Sequence, residues 1–139
     1  MISYNTVGVE MPLIDQPRVS AWVRQVAERY GKKVGDINFI FVSDEEILRI
    51  NREYIQHDYY TDHIGFDYSS GNVLSGDVFI GVETVASNAE LIGETYRREL
   101  HRVIIHGVLH LCGIKDKTPE LRMQMEAAEN AALALAVWL

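Results

Sequence analysis

The sequence predicts an α/β domain of the α+β kind: a small mixed sheet of about four strands covered by helices. Three observations carry this reading. A chain of 139 residues is the size of one domain with one hydrophobic core. Short β-rich runs such as "INFIFV" at 37–42 are interspersed with longer stretches of helical period. Two extended segments, near 62–68 and 76–82, follow one another directly, which places neighbouring strands beside crossover units. No linker-like stretch or internal repeat divides the chain, so residues 1–139 are read as a single domain.

The elements follow in order. Ile2 to Val9 alternates roughly and reads as a strand, after which "DQP" at 15–17 supplies a cap and a proline for a helix start. Val19, Trp22, Val23, Val26 and Tyr30 then recur at helical spacing until Gly31 stops the pattern. The strand 37–42 runs into Ser43 and Glu46, spaced as a capping box, and into a second helix carrying Ile47, Leu48, Ile50 and Tyr54. The loop "SSGNVLS" joins the two neighbouring strands. A helix is expected from Glu83 to Leu91, an interruption at Gly93, and a long helix from about Thr95 to Cys112 that Gly113 ends. Thr118 and Pro119 open a last helix whose final third is nearly all apolar and should pack on the core.

Composition narrows the function classes. An apolar fraction of 47% and a charged fraction of 24% are those of a globular chain rather than a disordered or fibrous one. The start "MISYNTVGVEMPL" lacks the pattern of a secretory signal, and the longest apolar run, "AALALAVWL", is too short to cross a bilayer, so no membrane association and a cytoplasmic location are expected. The lone Cys112 excludes a disulfide scaffold. The formal charge of −7 argues mildly against broad phosphate binding. Between 97 and 117, however, Arg97, Arg98, Arg102, Lys115 and Lys117 face only Glu99 and Asp116, and this local excess of basic residues suits a phosphate.

The chemistry concentrates in "HGVLHLCGIKDK" at 106–117. His106 and His110 lie one turn apart on a helix face with Cβ atoms about 6 Å apart, a separation that lets two imidazoles reach one metal ion. Alone, the spacing describes a partly buried or surface pair equally well. Gly113 turns the chain back, and the three residues to Asp116 span about 10 Å at most, enough to bring a carboxylate over the helix end. The expected site is therefore His106, His110 and Asp116 around one divalent metal at the end of the long helix, zinc being the first choice.

The segment "HGVLHLCGIKD" resembles the signature of the YbeY family of bacterial rRNA maturation factors. Upstream, "INREYIQHDYYTDHIGFDY" resembles that family's polar segment and "LSGDVFI" its following strand. The resemblance implies a metal-dependent, single-strand-specific endoribonuclease. It would act at the 3′ end of small-subunit rRNA and in ribosome biogenesis or quality control, with rRNA and the small ribosomal subunit as partners. Two positions depart from the family pattern. Asp116 stands where the family has its third histidine; a carboxylate keeps a zinc site intact and also admits metals such as Fe(II). Ile55 stands where most relatives carry an arginine associated with cleavage, leaving Arg52 or His57 to supply polarity nearby.

The proton acceptor stays open. Gly107 occupies the place of the glutamate in HExxH proteases. Asp62, His63, Asp77 and Glu99 are the candidates, with an RNA 2′-hydroxyl as an alternative nucleophile. Glu99 lies about 10 Å along the helix from His106, which suits an indirect or ion-pair role. His101 falls about 140° round the helix and is left out of the site. Cys112 reads as a small buried hydrophobe, and Lys115 and Lys117 as phosphate clamps or solvated charges. Tyr59 and Tyr60 can stack on unpaired bases or serve the core, and Asp58, Thr61 and Asp62 can form a simple turn. Two further functions compete with the nuclease: a non-catalytic ribosome-biogenesis factor with a structural metal, and a metal-dependent hydrolase of another substrate.

Overall fold

In a computed structural model, residues 1–55 and 61–139 are described. The expected His57, Asp58, Tyr59 and Tyr60 lie outside them. Strand β1 spans Ile2–Val7. Asp15 then caps α1, Gln16–Arg29, its carboxylate accepting from the Arg18 amide, with Pro17 in the first turn. Val19, Trp22, Val23 and Val26 form the buried stripe of α1, while Tyr30, expected on that face, lies past the helix end and is half-exposed.

Strand β2, Lys33–Val42, starts four residues earlier than its apolar run. Helix α2, Asp44–Ile50, follows with Ser43 as cap, its Oγ accepting from the Glu46 amide at 3.2 Å. The capping box is only half made. Glu46 pairs with Arg49 instead, and the Ser43 amide donates to Val7. A π-helical turn, Asn51–Ile55, extends α2. The hairpin β3, His63–Asp67, and β4, Val73–Gly81, leads to α3, Val82–Ile92, α4, Tyr96–Leu111, and α5, Pro119–Leu135.

The four strands lie in the order β1-β2-β4-β3. β1, β2 and β4 run parallel, and β3 pairs antiparallel at the edge. Alternation then divides the sheet. Leu74, Val78 and Ile80 of β4 pack with Leu100, Ile104, Val108 and Leu109 of α4 and with Val23 and Val26 of α1. The opposite face carries Ile47 and Ile50 of α2 with Ile64, Phe66 and Phe79. Directly paired residues share a face, so His63, opposite Ile80, stands on the α4 side.

Two buried groups tie the helices together. Trp22 Nε1 donates to the Ala132 carbonyl at 2.8 Å, joining α1 to α5. His101, 1% exposed, is linked through Nδ1 to the Arg97 carbonyl at 2.6 Å and packs on Trp22 and Trp138. Burial, with a smaller opposing effect of the Arg97 carbonyl, lowers the pKa of His101 below its ordinary value. The unfolded chain therefore binds this proton more readily, so stability falls as pH drops below about 6.5, down to the lowered folded value. The expected result is a steeper loss of thermal midpoint between about pH 7 and 5 in the natural chain than in His101→Phe. Parallel curves would show that His101 carries none of the acid sensitivity.

Candidate metal centre

Helix α4 presents His106 and His110 one turn apart. Its end is built by Gly113, at φ 99°, where the Gly113 amide donates to His110 and the Ile114 amide to Leu109, the paired bonds of a Schellman motif. A side chain at this φ would be strained, so glycine suits the reversal. The reversed chain brings back Asp116, whose Oδ2 lies 3.2 Å from His110 Nε2 and 3.4 Å from His106 Nε2. Two donors bound to one zinc at tetrahedral geometry are about 3.4 Å apart, so these separations suit a shared ion.

The structure adds His63 to this group. His63, His106 and His110 each offer one ligand atom within 4.8 Å of the others, and these three histidines can hold a metal ion. The His63 and His106 rings are 4.3 Å apart between centroids.

Two carboxylates orient the rings. Glu129 Oε2 lies 2.5 Å from His106 Nδ1, and Asp62 Oδ1 lies 2.7 Å from His63 Nδ1. A carboxylate at Nδ1 selects the tautomer that leaves a lone pair on Nε2. His106 Nε2 is buried and without a hydrogen-bond partner among the described residues, an orphaned acceptor that a metal ion would satisfy. Behind it runs a chain of charges. Arg102 Nη1 donates to Glu129 Oε1 and Asn130 Oδ1, both at 3.1 Å, and Arg102 Nε lies 3.5 Å from Glu99 Oε1.

The surroundings favour a cation. Burial, followed by the opposing pull of Arg102 and the repulsion of Asp62 and Glu129, raises the pKa of Glu99. Burial works to raise Asp62 as well, but the bond and charge of His63, with His106, hold it below the usual carboxylate range. Burial and the neighbouring His106 keep the pKa of His110 below that of a free imidazole, which favours the neutral, ligating form.

The remaining sequence candidates separate. Glu99 is 7% exposed and lines a pocket with Arg102, His106, Asp116 and Glu129, in the ion-pair role expected of it. Asp77 does not join the site: alternation turns it to the sheet face opposite α4, where it accepts from Asn38 Nδ2 at 2.9 Å and lines a groove with Arg49, Tyr54 and Phe66. Arg52 lines another groove with Ser43, Glu46 and Arg49. Ile55 is 37% exposed. Lys115 and Lys117 are exposed on a groove that also contains His63, Gly65, His110 and Asp116. Cys112 packs against the core, and burial pushes its thiol up to about 11, as suits a small inert side chain.

Sequence reasoning missed Glu129. Its signal was present, because Met125, Glu129, Ala132, Leu133 and Ala136 fall on one buried stripe in which an acid has no place unless it is paired.

The sequence matches the family described as Endoribonuclease YbeY over residues 8–136. The chain belongs to the YbeY family. A YbeY endoribonuclease of Phocaeicola vulgatus is 61% identical over 135 residues, 97% of this chain and 98% of that one. Those of Parabacteroides distasonis and Bacteroides thetaiotaomicron are each 57% identical over 134 residues, 96% of this chain and 94% and 98% of theirs. A Thermotoga maritima protein solved in solution shares the fold, with a TM-score of 0.66 and 24% identity over 96% of this chain and 90% of that one. This YbeY chain thus carries its histidine cluster on a fold already seen in solution.

Proposed function

We propose that the chain is a metal-dependent endoribonuclease that processes rRNA. The observation that carries the metal site is the convergence of Asp116 on the Nε2 atoms of His106 and His110. The relatives named as YbeY endoribonucleases support the reaction class. A single domain over residues 1–139 would act in the cytoplasm on single-stranded RNA at the 3′ end of small-subunit rRNA, with the small ribosomal subunit as partner. None of the helices among the described residues is long and apolar enough to cross a membrane.

His106, His110 and Asp116 would hold one divalent ion. Zinc is favoured because imidazole nitrogen dominates the donors. When bound, the ion supplies Lewis acidity toward a phosphodiester oxygen. The chain's own residues do the rest. Lys115 and Lys117 offer positive charge on the groove beside the histidines, where a phosphate backbone would be received. Gly65 leaves that stretch of β3 without a side chain, so a backbone can approach closely. Arg102 and Glu129 fix the His106 ring. Of the proton acceptors considered, Asp77 lies on the other face and Asp62 is engaged with His63, which leaves His63 and, through its shared pocket with His106, Glu99.

The test measures bound metal and cleavage of a single-stranded rRNA fragment for the natural chain and His110→Ala. Metal-dependent cleavage that disappears together with the metal in the variant is the expected result. Tight metal binding without cleavage above background would reassign the chain as a non-catalytic binding factor.

A further inference from the structure

Resting on the metal site proposed above, we propose that His63 is a fourth protein ligand, held for that role by Asp62. His63 is the first residue of β3, and its cross-strand partner Ile80 fixes its side chain on the α4 face. Its Nδ1 is engaged by Asp62 Oδ1 at 2.7 Å, which leaves Nε2 as the atom free to ligate. Its ring lies 4.3 Å from that of His106 and 5.9 Å from that of His110 between centroids. Two histidines from different elements, each anchored at Nδ1 by a carboxylate, thus meet at one point: His63 by Asp62 and His106 by Glu129.

A histidine that served only to satisfy Asp62 would have no reason to share a pocket of ligand atoms 4.8 Å across with two others. Such an arrangement would place three imidazoles together without an ion to offset their mutual desolvation. Asp116 and His63 each form a triad with the same His106–His110 pair. Drawn together by one ion, three nitrogens and one carboxylate oxygen would give a four-donor set, to which a phosphodiester oxygen would add as a fifth ligand. That set favours zinc over magnesium or manganese, which prefer oxygen ligands. It also links the edge strand to α4, joining parts of the site that the "HGVLHLCGIKD" segment does not contain.

The experiment compares the natural chain with His63→Ala and Asp62→Asn, each stripped of metal and then titrated with zinc against a chelator. The cobalt(II) forms are recorded by visible absorption. Circular dichroism of the metal-free proteins checks that each variant is folded. The expected result is an affinity loss of at least about tenfold for His63→Ala and a smaller one for Asp62→Asn. The intense four-coordinate cobalt bands should weaken when the His63 nitrogen is removed. Natural affinity and an unchanged cobalt spectrum in folded His63→Ala would overturn the ligand role while leaving the site of His106, His110 and Asp116 standing. A natural chain that binds neither ion would overturn both.

Discussion

Replacing Glu129 with alanine is expected to weaken zinc binding by about 10- to 100-fold and to cost about 1–3 kcal/mol of stability. Both effects have one origin. Glu129 is 8% exposed and lies between two donors, the Nδ1 of His106 at 2.5 Å and the Arg102 guanidinium at 3.1 Å. Removing the carboxylate leaves the guanidinium poorly compensated in a half-buried position beside Glu99, and frees the His106 ring to turn. Glu129→Gln separates the two effects. It retains the volume and an acceptor oxygen but lacks the charge, so stability should recover further than affinity. Calorimetric zinc titration and chemical denaturation of the metal-free protein measure the two quantities. Natural affinity in a folded Glu129→Ala would mean that the His106 ring needs no anchor.

Gly107→Ala is the second large effect, and it acts through packing. A Cβ at this position would lie 2.7 Å from Val78 Cγ1 and 3.2 Å from Cγ2, and Val78 is fully buried in β4. Alanine improves helix propensity by about 1 kcal/mol, but overpacking a closed interior costs about 1–3 kcal/mol. A net loss of up to about 2 kcal/mol is expected, with weaker metal binding because the adjacent His106 moves with the helix. Adding Val78→Ala should recover part of the loss, so that the double variant is more stable than the sum of the single changes predicts. Additive effects would show that the helix-to-strand distance is not set at this pair.

Much of the fold was legible because its signals are local. Asp15, Ser43, Thr95 and Thr118 all cap helices with their own side chains, and the four-strand count and the hairpin both hold. The first residues of β2 were not legible: Lys33 to Asp36 have no apolar alternation and are extended through pairing of Lys33 and Val34 with Val73 and Leu74, which lie far along the chain. The site divides in the same way. His106, His110 and Asp116 lie within one short segment, where helix period and a turn suffice to bring them together. His63 and Glu129 come from β3 and α5, and only tertiary packing brings them in. Asp77 was misplaced because a residue's sheet face depends on strand pairing as well as on the kind of residue it is.

The edge position of β3 has a consequence for chemistry. Its side chains alternate between the histidine cluster and the apolar face beneath α2, so shifting its pairing by one residue would send His63 among Ile47 and Ile50 and put Ile64 among the histidines. The tether that holds the correct frame is the hairpin turn. The Tyr68 amide donates to Ser75, the Ser70 amide to Val73, and Ser69 Oγ accepts from the Ser75 amide. None of the turn residues Tyr68 to Asn72 lines the groove beside His63. A single insertion there would turn His63 away from the histidine cluster while leaving every site residue in the sequence, so the length of that turn decides which side chains could reach the proposed metal.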